Sequence, residues 1–173
     1  MFDTCFSACR YDHPIDHLIS RFKFHGDLAA GQLLADILAA HVTSTALCDS
    51  AARQTPDAIL AVPLHWRRHW KRGFNQAQFL ADQLGRRLNI EVVDGIARQH
   101  HTPKQQDLKR SQRLRNLRNA FVTTRRFDGQ HIALVDDVVT TASTANTLAK
   151  LLKKAGASRV DIWSIARTPS PAK

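Results

Sequence analysis

Long apolar runs are missing from this 173-residue chain. No stretch approaches the ~20 consecutive apolar residues of a membrane-spanning helix, so membrane insertion is not expected. The first residues, MFDTCFSACRYDHP, lack the basic flank and apolar stretch of a signal peptide. Cytoplasmic residence is the default expectation. Cysteine is scarce: Cys5, Cys9 and Cys48 are odd in number and poorly spaced for a disulfide framework or for C-x2-C zinc pairs, and they read as reduced thiols. None of the seven glycines is followed by lysine, which removes a P-loop. Acid is nearly lacking in the middle of the chain. Between Pro63 and Arg126 only Asp82, Glu91, Asp94 and Asp107 oppose 15 of the 25 Lys and Arg residues. Internal repeats and low-complexity tracts do not occur.

What is present suits one domain: 19.4 kDa, 43% apolar residues to fill a core and 23% charged residues to cover it. A formal net charge of +10 and a pI near 10.3 point to a polyanionic ligand or partner, namely a nucleotide, a pyrophosphate ester or a nucleic acid strand.

Periodicity orders the chain. Ile15, Leu18, Ile19 and Phe22 recur at helical spacing, Gly26 and Asp27 interrupt, and Leu33, Leu34, Ile37 and Leu38 resume toward His41. AILAV, Ala58 to Val62, is a buried strand closed by Pro63. A basic loop follows, then a helix from Asn75 with Phe79, Leu80, Leu84 and Leu88 on one face, and a second strand at Ile90 to Val93. Ala97 to Arg118 has few apolar residues and one acid, and reads as a mobile loop running into a short basic helix with Leu114 and Leu117. After the turn at Phe127 to Gly129 come a strand, a helix with Leu148, Leu151, Leu152 and Ala155 on one face and Gly156 as its stop, and a final strand from Val160 to Ala166. This alternation predicts an α/β fold, a parallel sheet flanked by helices, with ligands outside the carboxyl ends of the strands.

IALVDDVVTTAST, Ile132 to Thr144, concentrates the chemistry. Ile132 to Val135 is expected as a central strand that delivers Asp136 and Asp137 to the ligand crevice. Thr140, Thr141, Ala142, Ser143 and Thr144 then offer successive backbone N–H groups and four hydroxyls at a helix start, where unpaired amides and the macrodipole attract a phosphate. Carboxylates only accept hydrogen bonds, so a vicinal diol can donate to the acids while the phosphate sits further along the loop. A ribose 5-phosphate has both parts. Simple helix capping accounts for the hydroxyls but leaves the adjacent acids unexplained.

VDDVVTTAST resembles the phosphoribosyl pyrophosphate (PRPP) motif of the type I phosphoribosyltransferases, and its surroundings resemble the ComF (competence protein F) family of that superfamily, with its gluconate-operon-associated relatives. YDHPIDHLISRFKFHGD near the start, VPLHWRRHWKRGFNQAQ at Val62 to Gln78, and TPKQQDLKRSQRLRNLRNAF at Thr102 to Phe121 carry the rest of the match. The resemblance implies a type I phosphoribosyltransferase-like fold with a flexible hood loop, one domain over residues 1–173, and residues 1–12 as a remnant or linker ahead of it. Two departures stand out. Family members commonly begin with a four-cysteine zinc module, whereas only Cys5 and Cys9 occur here, so no zinc held by protein ligands is expected. The phosphate loop usually has Gly where this chain has Ala142, and a positive φ there would cost on the order of 1 to 2 kcal/mol.

By the resemblance, Asp136 and Asp137 hold the ribose hydroxyls as catalytic residues, with Mg2+ carried by the ligand nearby, and Thr140 to Thr144 hold the 5-phosphate. Arg68, Arg72, Asn75 and Gln76 clamp the pyrophosphate, while Lys104 and Lys109, with Arg110, Arg113, Arg115 and Arg118, form a hood that closes over it. His65 and His69 have an i, i+4 spacing that suits a metal only on a helix with a third ligand, and solvated or packed imidazoles are the simpler reading. Two functions stay open. One is an Mg2+-assisted phosphoribosyltransferase acting on an unidentified acceptor. The other is a non-catalytic competence factor whose basic residues track single-stranded DNA during uptake. Partners in the competence machinery and a homo-oligomer are both compatible with the resemblance.

Overall fold

The computed structural model describes residues 1–48, 54–64, 73–98 and 120–169, without the side chains of 46–48. Four parallel strands form its sheet: β1 (Thr4–Arg10), β2 (Ala58–Ala61), β5 (His131–Val139) and β6 (Arg159–Arg167), in the order β1-β6-β5-β2. A separate antiparallel pair joins β3 (Ile96–Arg98) to β4 (Phe121–Thr123). The helices are α1 (Ile15–His25), α2 (Leu28–Cys48), α3 (Gln76–Leu88) and α4 (Ser143–Lys154).

Successive side chains of a strand point to opposite faces, so an interior strand covered on both sides must be apolar throughout. Ile132 to Val135 of β5 meet this requirement and are all 0% exposed. Ala133 and Val135 join Trp163 and Ile165 against Ile19, Phe22, Leu34, Leu38, Leu80 and Leu84 of α1, α2 and α3. Ile132 and Leu134 turn the other way, to Leu148 and Leu152 of α4, with Phe127, Val160 and Ile162. Each buried Leu or Ile contributes about 1.5 to 3 kcal/mol, which fixes the helices on their respective faces.

Local chemistry sets the boundaries. Gly26 ends α1 in the left-handed region at φ 63, and its N–H reaches Arg21 O. Asp27 then caps α2 by accepting from the Ala30 N–H at 3.0 Å, and Arg21 holds its other oxygen at 2.6 Å. Asn75 is extended at φ −94 and accepts from Ala77 N–H, as an N-cap does.

Three expectations need correction. Residues 1–12 are more than a remnant or linker, because Thr4–Arg10 forms β1 along β6 and its Ser7 hydroxyl meets that of fully buried Ser164 at 2.7 Å. The strand expected at Ile90 to Val93 reduces to one parallel bridge, with Ile59 N–H donating to Glu91 O and Val93 N–H to Ile59 O. Ala97 and Arg98, expected in the loop, belong to β3. The remainder of that section, 99–118, lies outside the described residues.

Candidate functional site

β5 outruns β2. The last paired residue of β2, Ala61, stands beside Val135, and Val62 N–H adds one bond to Val135 O before Pro63 turns the chain away. Among the described residues Asp136 through Val139 therefore continue alongside β6 only, where Asp136 pairs with Ser164 and Val139 with Arg167. The step left above the end of β2 opens a cleft of about 560 Å³, which Asp136, Asp137, Thr140 and Thr144 line from the β5 side. The two carboxylates thus stand past the edge of the buried sheet, where a ligand can reach them without entering the core.

The acids differ in surroundings. The Asp136 carboxylate accepts the backbone N–H of Asp137 at 2.8 Å. Asp137 turns toward α1 and its Oδ2 meets the Lys23 ammonium at 2.9 Å, with both side chains about five-sixths buried, at 15% and 16% exposure. Lys23 was not singled out from the sequence, although it lies within the block FKFHGD. Its position follows from Phe22, which packs 5.3 Å from both Phe74 and Phe79 and so presents the next residue of α1 to the cleft.

The loop after the acids bends sharply into α4. Ala142 adopts the left-handed conformation at φ 54 and ψ 9, and α4 starts at the next residue. The Thr141 and Ser143 hydroxyls lie 3.1 Å apart, and Asn146 N–H donates to Ala142 O to close the first turn. The preceding amides of α4 have no intrahelical acceptor, as in any helix, and Thr140 and Thr144 place this end beside the acid pair. Of the five loop residues these two border the cleft, while Thr141, Ala142 and Ser143 shape the bend.

Asn75 and Gln76 also reach the cleft wall, in roles set by the fold. Asn75 Nδ2 donates to Val62 O at 3.3 Å while its Oδ1 caps α3, which staples the end of β2 to the start of α3. Gln76 is 1% exposed. The two Asn75 bonds hold the wall in place. Arg68, Arg72, Lys104 and Lys109 lie outside the described residues, as do His65, His69 and the four arginines of the hood. Arg98, counted from the sequence only as part of a basic section, borders the cleft from β3 with its guanidinium 5.0 Å over the Phe121 ring of β4. Tyr11 and Thr168 complete the rim at the ends of β1 and β6. A pairing of β3 with β4 across the intervening segment was not visible in local sequence, and Arg98 could not be placed without it.

Among the described residues no three His, Cys, Asp or Glu side chains gather to hold a metal. Two adjacent carboxylates suit Mg2+, which keeps its waters and is commonly held by one or two carboxylates together with substrate phosphates. No helix of the described residues is long and apolar enough to cross a membrane.

A model of the phosphoribosyl transferase domain matches residues 32–173. The chain is 39% identical to competence protein F of Haemophilus influenzae, over 91% of this chain and 69% of that protein. It is 38% identical to the DNA utilization protein YhgH of Escherichia coli strain K12, again over 91% and 69%. Among solved structures, an adenine phosphoribosyltransferase superposes with a TM-score of 0.51 at 12% identity, over 83% of this chain and 73% of that one. The glutamine PRPP amidotransferase of B. subtilis gives 0.50 at 16% identity, over 76% and 25%. These two likenesses concern the fold. With the parallel sheet, the acid pair at its rim and the hydroxyl loop in place, the chain belongs to the ComF family of the type I phosphoribosyltransferase superfamily.

Proposed function

We propose that the cleft above β2 binds PRPP or a related phosphorylated ribose, and that the chemistry it suits is transfer of the phosphoribosyl group to an acceptor. One observation carries this reading: two carboxylates and an anion-attracting helix start border a single cleft, on consecutive segments of one strand, loop and helix. Asp136 and Asp137 accept from the ribose hydroxyls. The backbone amides and hydroxyls from Thr140 to Thr144 enclose the 5-phosphate. In the transfer the bond from C1 to the pyrophosphate oxygen breaks with its electron pair leaving on pyrophosphate, and an acceptor nucleophile bonds to C1. The nearby carboxylates stabilise positive charge developing on the sugar, and much of the rate comes from holding C1 in place. Mg2+, bound with the ligand near Asp136 and Asp137, would supply charge neutralisation on the leaving pyrophosphate.

Calorimetric titration of PRPP with Mg2+ tests the assignment. Wild type should bind, and Asp137→Asn, which turns one acceptor oxygen into an amide donor, should bind at least about tenfold more weakly. Undiminished affinity in Asp137→Asn refutes the ribose role.

A second reading has its own support in the net charge of +10 and in relatives named for competence and DNA utilization: the basic segments bind single-stranded DNA. Fluorescence anisotropy of a labelled oligothymidine across salt should then show steeply falling affinity, because each neutralised phosphate releases counterions. A flat salt response counts against it.

A further inference from the structure

Two neighbouring carboxylates repel each other, and a site that must also accept a phosphorylated, polyanionic ligand normally needs a cation beside them. This chain already holds one. Lys23 comes from α1, on a different element from every residue of the acid motif, and places its ammonium 2.9 Å from Asp137 Oδ2. The pair is mostly shielded from solvent, so it is weakly screened. Phe22, 1% exposed and flanked by Phe74 and Phe79, keeps α1 from withdrawing the lysine. An ammonium has three donors, so one can hold Asp137 while others face a ligand oxygen. Asp137 also lines the cleft, and a carboxylate has a second oxygen with which to accept from a hydroxyl.

We infer that Lys23 is the resident cation of the acid pair, so that the ribose phosphate portion of the ligand binds at Asp136 and Asp137 without a divalent metal ion. The inference rests on the PRPP reading of the cleft and assigns the metal to the pyrophosphate portion alone. It predicts that metal dependence follows the pyrophosphate and not the ribose.

The test uses ribose 5-phosphate, which lacks pyrophosphate, titrated calorimetrically into the protein in EDTA and in Mg2+. Wild type should bind with the same affinity in both. Lys23→Met should bind about tenfold more weakly in EDTA and recover in Mg2+, whereas Lys23→Arg should behave like wild type. A second readout needs no sugar. Mn2+ titration followed by electron paramagnetic resonance should show a new bound-metal signal in Lys23→Met that the double variant with Asp137→Asn loses. Thermal melts of each variant confirm folding. Wild-type binding that requires Mg2+, or a Lys23→Met protein that keeps full affinity in EDTA and gains no Mn2+ site, overturns the role of Lys23 and leaves the cleft reading intact. Failure of wild type to bind ribose 5-phosphate under both conditions, together with failure to bind PRPP with Mg2+, overturns the cleft reading and this inference together.

Discussion

Lys23 and Asp137 lie 114 positions apart in sequence and 2.9 Å apart in space, joining the helical layer to the end of β5 directly under the proposed ribose site. The contact ties the position of α1 to the chemistry of the cleft. It also gives the two acids unequal environments, with Asp136 turned to the backbone and Asp137 to a cation.

A double-mutant cycle with Lys23→Met and Asp137→Asn should return a coupling of about 1 to 2 kcal/mol in unfolding free energy. That is more than exposed ion pairs contribute, because both partners are mostly buried. Urea denaturation supplies the four free energies. Additive effects would mean that the pair contributes nothing in solution.

Ala142 should be a site where glycine stabilises. Its φ of 54 costs an alanine roughly 1 to 2 kcal/mol, and a glycine recovers most of that less its own greater chain entropy, on the order of 0.5 to 1 kcal/mol. Ala142→Gly should therefore gain about 0.5 to 1 kcal/mol in thermal or urea unfolding, with PRPP affinity retained or raised. Ala142→Val should lose stability, since a β-branched residue tolerates the left-handed region poorly. A destabilised glycine variant would show that the loop takes another backbone conformation.

Replacing Gly31 with alanine would ordinarily strengthen a helix by about 1 kcal/mol. Here the added Cβ would lie 2.5 Å from Phe22 Cε2 and 2.9 Å from Phe79 Cε1, and such overpacking costs typically 1 to 3 kcal/mol. Gly31→Ala should thus lower stability, and because it displaces Phe22 it should also weaken ribose 5-phosphate binding through the adjacent Lys23. Calorimetry and melting curves of the same samples check both. A more stable variant would mean that the aromatic cluster yields freely.

At the opposite end of the sheet Asp161, 2% exposed, lies between His131 Nε2 at 2.9 Å and Arg159 Nε at 3.1 Å. Burial alone would raise its carboxyl pKa, but hydrogen bonds from His131 and Arg159 outweigh burial and hold it below the usual aspartate range. A lowered carboxylate contributes stability that is complete above its unfolded pKa and is lost as pH falls through its folded one. That loss should set in below about pH 4. Asp161→Asn should cost on the order of 3 kcal/mol near neutral pH, since it strips the charge from a buried network, and should flatten the acid limb of a plot of urea midpoint against pH. Parallel acid limbs for variant and wild type would exclude Asp161 as the source.

The elements legible in sequence were those with strong periodicity. Leu80 and Leu84 marked the buried face of α3, Leu148 and Leu152 that of α4, and the unbroken run from Ile132 to Val135 marked a strand covered on both faces. The acid pair and the hydroxyl loop after it were legible because they are contiguous. So was the consequence of alanine at position 142, whose positive φ is the conformation that glycine would meet at least cost. The strand Thr4–Arg10 was not legible. Its apolar residues Cys5, Phe6, Ala8 and Cys9 are broken up by Ser7 with no clean alternation, and they are held by β6, more than 150 residues away, through a parallel ladder that leaves no turn signal behind.

Chain order therefore decided that two acids, a run of hydroxyls and a helix start lie together, since donors and acceptors of adjacent residues travel together whatever surrounds them. Packing decided the rest. The overshoot of β5 beyond β2 opened the cleft, the β3–β4 pair brought Arg98 to its rim, and the aromatic contacts of Phe22 carried Lys23 to Asp137. Each of these joins residues far apart along the chain, and only burial of the intervening apolar faces brings them within reach of one another.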